Sequence, residues 1–356
     1  MKAKDTCIVT GGAGFIGCAL SAGLCERFEH VVAIDNLHPQ VHAKRERPRA
    51  LDARVELVVA DITEAAVWTE VLARSPPGVV VHLASETGTG QSLFASARHA
   101  HVNVTGTAVM LDALAQATRQ PDRIVLASSR AVYGEGAARA ADGSLVYPGQ
   151  RSREQLERGQ WDFAGLTHVP AAAALTQPLP VSIYGATKLA QEHMLAAWAN
   201  AMGTRTAILR LQNVYGPGQS LTNPYVGIVS LFCRLAREGR GIPLYEDGRM
   251  LRDFVYIDDV AAALLRAVDA TAASCRVDIG TGAGTTIAEA AAIVASIYGA
   301  PAPQVCGKFR FGDVRHASCD PSAAATLLGW RATVDAATGL KRLARWIDGE
   351  LGGASP

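Results

Sequence analysis

Thr6-Cys7-Ile8-Val9-Thr10-Gly11-Gly12-Ala13-Gly14-Phe15-Ile16-Gly17 is the stretch that decides the fold. Five apolar or β-branched residues read as a buried strand, three glycines mark a turn, and helical spacing then runs to about Arg27. Gly11 permits the tight turn, Gly14 lets the backbone come close to a pyrophosphate, and Gly17 lets the helix pack on the strand. The helix that starts at Phe15 and Ile16 turns its N-terminal N–H groups toward bound phosphate. Such a triplet alone also occurs in turns that bind nothing. Here the next strand, Val31–Asp35, ends in a carboxylate where ribose hydroxyls would lie, with Asn36 beside it. Together these features predict a dinucleotide site. Asp35 favours NAD, because its charge would repel the 2′-phosphate of NADP.

Outward from this point, Val55–Ala60, Val79–Leu83, Ile124–Ala127 and Thr206–Leu211 repeat the continuous apolar strand pattern. Helical stretches such as Val102–Ala117 and Tyr184–Met202 separate them. Alternation of this kind predicts an α/β fold, a Rossmann-type doubly wound parallel sheet covered on both faces. Leu83 and Ala84, ending the fourth strand, would line the cofactor. Asp61-Ile62 suits either an adenine contact or the cap of a helix ahead of Thr63. From Gly136 to Pro180 the rhythm breaks, with Asp142-Gly143, Pro148-Gly149, the charged run Arg151–Arg158 and three prolines. That length fits an excursion over an active site or a partly disordered loop. After Asn213 the sheet pattern weakens. Segments Asn223–Arg240 and Thr285–Gly299 and a helix near Leu340–Leu351 suggest a smaller C-terminal α/β substrate-binding lobe. Strand Phe254–Tyr256 and helix Asp258–Val268 are expected to return to the large domain. The division is therefore 1–212 with 251–280 for the cofactor, and 213–250 with 281–350 for the substrate. The Gly352–Pro356 tail is expected to fray.

Composition narrows the function. With 34 basic and 33 acidic residues in 356, the formal charge is +1, so no general pull toward nucleic acid or membrane is expected. No apolar run approaches the ~20 residues of a membrane span, and Met1-Lys2-Ala3-Lys4-Asp5 lacks a signal-peptide core. Seven scattered cysteines with no CxxC pair read as reduced thiols of a cytoplasmic protein, with no metal site.

Two further features would meet in such a sheet. Ser128-Ser129 ends the Ile124–Ala127 strand, and Tyr184-Gly185-Ala186-Thr187-Lys188 opens a helix. Residues i and i+4 share a helical face, so Lys188 sits one turn from Tyr184, where its ammonium favours the phenolate. A tyrosine of ordinary pKa ~10 needs such help to act as a base at neutral pH.

The glycine pattern, Ser129 four residues before Tyr133, and the Tyr184/Lys188 pair resemble the extended short-chain dehydrogenase/reductase family. Asn213-Val214-Tyr215-Gly216-Pro217, Arg252-Asp253-Phe254-Val255 and Arg310-Phe311-Gly312-Asp313 narrow the resemblance to its NAD-dependent sugar-nucleotide epimerase/dehydratase branch. It runs from about Cys7 to Trp346. It implies a nucleotide-sugar substrate and a homodimer built on Val102–Ala117 and Tyr184–Met202. Ser129 would hold the sugar hydroxyl, Tyr184 act as base, and Lys188 hold the nicotinamide ribose. Asn213, Arg252 and Arg310 would bind the diphosphate, Thr87, Thr89 and Arg130 the substrate, and Asn103 would order the catalytic helix. For pyrophosphate, bidentate guanidinium groups are the better physical choice over lysine. His82 reads as a packed strand-end residue rather than an acid.

Family dehydratases carry an acidic pair after the serine or threonine; Arg130 and Ala131 stand there in this chain. That departure implies 4-epimerisation rather than loss of water. The stretches His82–Ser92 and Ser129–Gly136, with the long insertion, are most similar to 4-epimerases of a dTDP-linked 6-deoxyhexose. A UDP-hexose or UDP-uronate 4-epimerase, or a 4-ketoreductase, fits the same motifs, and a non-catalytic dinucleotide sensor is the reading from another class.

Overall fold

The computed structural model describes residues 6–221, 227–271 and 273–352. The end of the tail and the beginning of the Asn223–Arg240 segment lie outside these residues. Strands β1 (Thr6–Thr10), β2 (His30–Asp35), β3 (Glu56–Val59), β4 (Pro77–His82) and β5 (Arg123–Ser129) open the chain. Three two-residue strands follow in the excursion: β6 (Ala138–Arg139), β7 (Leu145–Val146) and β8 (Thr167–His168). The remainder are β9 (Arg205–Leu211), β10 (Asn213–Tyr215), β11 (Pro243–Leu244), β12 (Leu251–Tyr256), β13 (Cys275–Ile279), β14 (Gly284–Thr286), β15 (Gln304–Val305) and β16 (His316–Ala317).

Seven strands form one parallel sheet in the order β13-β9-β5-β4-β1-β2-β3. Successive side chains leave a strand on opposite faces, and the core divides accordingly. Cys7, Val9, Ala33, Val81 and Val125 pack with helices Phe15–Cys25 and Ile257–Asp269. Ile8, Val32, Ile34, Val80 and Ile124 pack with helices Ala65–Arg74, Gly106–Gln116 and Ile183–Met202. Because β1 lies between β2 and β4, strand order reverses there. A crevice therefore opens beyond the carboxyl ends of β1 and β4, the usual ligand position in such sheets.

The expected long helix Val102–Ala117 is divided. A wide π-turn, Ala100–Thr105, precedes the α-helix Gly106–Gln116 and contains the fully buried Asn103. Wide turns of this kind often accompany functional sites, since they re-aim one side chain.

Strand β12 departs from the expected return. It joins a second sheet, parallel to β10 and β16 and antiparallel to β14. The far edge of β9 is already taken by β13, so the large sheet offers β12 no partner there. The helix after it, Ile257–Asp269, does pack against the Phe15–Cys25 helix, and Arg27 pairs with Asp269 at 2.9 Å. A separate core of Phe232, Ile242, Val294 and Leu343 unites helices Ile228–Arg237, Ile287–Tyr298 and Ala336–Gly352.

The 136–180 segment is an ordered excursion. β6 pairs antiparallel with β7 and β8, and Arg153–Glu157 forms a short helix. It is pinned to the C-terminal part of the chain. Arg151 grips Glu246 with two bonds of 2.8 and 2.9 Å, and Arg315 reaches Asp162 at 2.7 Å. Ala171 exchanges main-chain bonds with Ser318 and Asp320. Among the described residues no helix is long and apolar enough to cross a membrane, and no cluster of side chains could hold a metal.

Candidate active site

The crevice is lined by Gly11, Gly14, Phe15, Ile16 and Gly17, then by Asp35, Asn36, Asp61, Ile62, Leu83 and Ala84. Gly11 has φ +66°, and a Cβ there would lie 2.7 Å from the Ala84 nitrogen. A Cβ on Gly17 would lie 2.4 Å from the Gly12 oxygen, which is what close helix–strand packing means here. On Gly14 it would meet only the Gly11 oxygen, leaving the turn open to the crevice. Helix Phe15–Cys25 has no side-chain cap, so its first N–H groups suit an anion. The Asp35 carboxylate accepts from the Ala13 N–H at 3.0 Å and the Leu37 N–H at 2.9 Å. Those bonds hold Leu37 at φ +50°, a left-handed conformation leucine rarely adopts. An uncapped helix N-terminus beside a buried carboxylate fits a dinucleotide's pyrophosphate and ribose.

Asp61 does not cap the following helix, which starts at Ala65 with Glu64 at its N-cap and no side-chain cap bond. It lines the crevice while accepting from the Thr63 N–H and hydroxyl and from the Asn36 amide. Asn103 does not line the crevice but organises it. Its side-chain oxygen accepts from the Glu86 N–H at 2.7 Å and the Ser85 hydroxyl at 3.0 Å; its amide donates to Thr187 of the Tyr184 helix at 2.9 Å. His82 is buried among Thr10, Thr107 and Gln191, and burial pulls its imidazole down to about 3. It is a neutral packed residue.

Tyr184 lines the crevice near the start of helix Ile183–Met202, which is capped by the Ser182 hydroxyl on the Gly185 N–H. Gly185 is needed for the approach to the turn Arg130–Tyr133 that follows β5, because a Cβ would lie 2.4 Å from the Ala131 oxygen. Burial pushes the Tyr184 phenol up; a hydrogen bond with Ser129 and the charge of Arg130 pull it back. Arg130 thus supplies a cation to the phenol that the spacing of Tyr184 and Lys188 did not reveal. Lys188 is buried, and desolvation draws its ammonium down to about 7, opposed by Glu192. Glu192 in turn accepts from Ser128 and is held by two bonds from Arg210.

The substrate candidates separate. Thr87 and Asn213 line the crevice, and the Asn213 side-chain oxygen is buried without a hydrogen-bond partner. Thr89 is exposed at the start of the short helix Thr89–Ser92. Arg252 lies close enough to Arg130 for the two charges to repel, and its guanidinium donates to the carbonyls of Leu251 and Val314. Arg310 stands apart, exposed, with its guanidinium 5.1 Å over the Tyr245 ring.

Several contributors had no motif. His38, Gln40, Val41 and His42 line the crevice from the segment after β2. That segment lacks helical periodicity, which was the available signal that it loops over the site. Arg98 pairs with Glu86 at 2.6 Å, and His99 sets its ring edge-on to Tyr184 with centroids 6.5 Å apart.

The fold and this crevice define a dinucleotide-binding α/β protein with a tyrosine, Tyr184, at the wall of its crevice. The NAD dependent epimerase/dehydratase family matches residues 7–153 and 163–280, and the chain belongs to it. Its cofactor is NAD. Over 345 residues the chain is 56% identical to dTDP-L-rhamnose 4-epimerase of Burkholderia thailandensis, covering 97% of this chain and 95% of that one. The UDP-glucose 4-epimerase of Thermotoga maritima, solved with UDP-glucose, superposes with a TM-score of 0.80 at 26% identity, covering 97% and 99% of the two chains. That of Thermus thermophilus, solved with NAD, gives 0.76 at 28% identity, covering 97% and 99%.

Proposed function

We propose that this protein is an NAD-dependent 4-epimerase that interconverts dTDP-L-rhamnose and dTDP-6-deoxy-L-talose. The similarity to the Burkholderia thailandensis enzyme over nearly the whole of both chains supports the substrate. The observation that carries the reaction type is the set of residues around Tyr184: Ser129 and Arg130 bear on the phenol, and Ala131 follows, so the dehydratase acids have no counterpart. Glu135 borders the same small cavity as Arg130, and its carboxylate accepts from the Arg315 N–H and pairs with Arg151.

In this reading Gly11, Gly14, Gly17 and Asp35 hold the dinucleotide, and Lys188 orients its nicotinamide ribose. NAD when bound supplies a hydride acceptor at the sugar's C4 and returns that hydride. Ser129 positions the 4-hydroxyl, and Tyr184 takes its proton as the 4-ketone forms and gives it back when the ketone is reduced from the other face. Asn213 and Arg252 hold the diphosphate while the sugar turns; Arg310, exposed beside Tyr245, would have to swing inward to help. Residues 1–212, with the helix Ile257–Asp269 and strand β13 that do return to the large sheet, serve the cofactor, and 213–256 with 281–350 serve the sugar nucleotide. A cytoplasmic homodimer built on helices Gly106–Gln116 and Ile183–Met202 completes the proposal.

Incubation of the purified protein with dTDP-L-rhamnose in deuterated water, without added NAD, tests it by proton NMR. The expected outcome is a mixture with the talose epimer, C4 and C5 unlabelled and no net NADH. Deuterium at C5 or an accumulating 4-ketone would overturn the epimerase mechanism. Turnover of UDP-hexoses alone would overturn only the substrate.

A further inference from the structure

Strand order sets three loops side by side at the carboxyl ends of the parallel sheet. The loops after β2 and β4 flank the glycine turn after β1, because β1 lies between those two strands. A bond that joins the flanking loops therefore passes across the turn where the dinucleotide's pyrophosphate belongs. The structure makes such bonds. The Gln40 amide donates to Gln91 Oε1 at 2.7 Å, and the Gln91 amide donates back to Gln40 Oε1 at 2.9 Å. Arg98, held by its ion pair with Glu86, donates to the same Gln40 oxygen at 3.3 Å.

Both ends of this bridge rest on ordered backbone. On one side the Leu37 N–H is fixed by Asp35, and the Val41 and His42 N–H groups donate to the His38 carbonyl at 2.9 Å. The His42 ring lies 3.8 Å from the Asp35 carboxylate. On the other side Gly88 turns at φ +109°, its carbonyl accepts from the Ser92 N–H at 2.9 Å, and the Glu86 N–H is held by Asn103. Gln40, Glu86, Gly88 and Arg98 all line the crevice, so the bridge is part of its wall. The amide pair is neutral and only partly buried, so its bonds exchange for water at small net cost. Such a bridge can part to admit a dinucleotide and close again behind it.

We propose that Gln40, Gln91 and Arg98 form a latch across the crevice that retains bound NAD. They are positioning residues, which slow the cofactor's departure by tying the two loops together. Where a cofactor lends a hydride and takes it back, loss of NADH between the two transfers would strand a ketone. That purpose rests on the epimerase reading above, whereas the retention rests on the NAD site alone.

The full protein, reloaded with radiolabelled NAD, is diluted into excess unlabelled NAD, and the rate at which label leaves is followed. Gln40→Ala and Gln91→Ala should each release NAD about tenfold faster than wild type, the effect of losing two neutral hydrogen bonds. The double variant should be no faster than the quicker single one, because one latch is broken only once. Gln91→Glu, which keeps the acceptor for the Gln40 amide, should fall between wild type and Gln91→Ala. Release as slow as wild type in both single variants would overturn the latch, as would a double variant whose rate is the product of the two single effects. With dTDP-L-rhamnose, the faster-releasing variants should shed NADH and a 4-ketone. Faster release in the variants, with no conversion of dTDP-L-rhamnose by wild-type protein, upholds the latch and overturns the epimerase reading alone.

Discussion

The two ends of the crevice are built on different principles. The dinucleotide end is mostly main chain: three glycines, an uncapped helix terminus and one carboxylate that bonds N–H groups at 2.9 and 3.0 Å. The other end, where a small cavity adjoins, is made of side chains brought from distant segments: Arg130 after β5, His168 from the excursion, Gln212 after β9 and His316 from β16. A constant ligand can be met by backbone geometry, which tolerates few residue types. A variable ligand is met by side chains, whose identities can change without disturbing the sheet. Tyr184 lines the crevice and feels the charge of Arg130 from the adjoining cavity, so it stands where the two meet.

The largest effect should come at that junction. Tyr184→Phe should lower kcat by about 10²–10⁴-fold, the usual loss for a missing acid–base group, while NAD content and sugar-nucleotide affinity hold. Steady-state kinetics with chromatography of the acid-released nucleotide measure this; a rise in KM with kcat preserved would place Tyr184 in binding alone.

Gly17→Val should break only the dinucleotide end. Its Cβ would overlap the Gly12 backbone, at 2.4 Å from the oxygen. Overpacking of about 1–3 kcal/mol corresponds to roughly 10–100-fold weaker NAD. The variant should therefore purify with little NAD, while added dTDP still raises its melting temperature as in wild type. Loss of both responses would show that the two ends are not separable.

The smallest effect is in pH and contrasts one histidine from each end. Burial holds His82 down to about 3 and His168 to about 4, while the unfolded chain protonates near 6.5. The unfolded state therefore binds more protons below pH 6.5, so stability is present above that value and lost as pH falls. Each histidine contributes a slope of up to about 1.4 kcal/mol per pH unit. Asp278, raised to about 7 by burial, acts in the opposite sense across the same range. Denaturant melts of His82→Gln and His168→Asn between pH 4 and 7 should each be flatter than wild type by one such slope. Equal slopes in wild type and His168→Asn would show that His168 is already charged in the folded protein.

How much could be read without coordinates follows the same division. Strand β1 was legible to the residue, and the helix after it nearly so, because a continuous β-branched run and a glycine turn constrain adjacent residues. The Tyr184/Lys188 pair was legible because four residues of helix fix a shared face. The π-turn at Asn103 was not, since it depends on Ser85, Glu86 and Thr187 arriving from elsewhere. Nor was the placement of β12, which turned on β13 having taken the sheet edge.

By itself, then, the sequence determined the parallel sheet, the dinucleotide turn and the shared helical face of Tyr184 and Lys188, each a matter of local geometry repeated at fixed spacing. Only the tertiary structure decided that the excursion is clamped by Arg151 and Arg315, that Arg130 faces the phenol, and that Gln212 is buried with nothing to bond. Those outcomes depend on which charges and amides are removed from water together. That is settled by the packing of segments far apart in the chain, 180 residues in the case of Glu135 and Arg315.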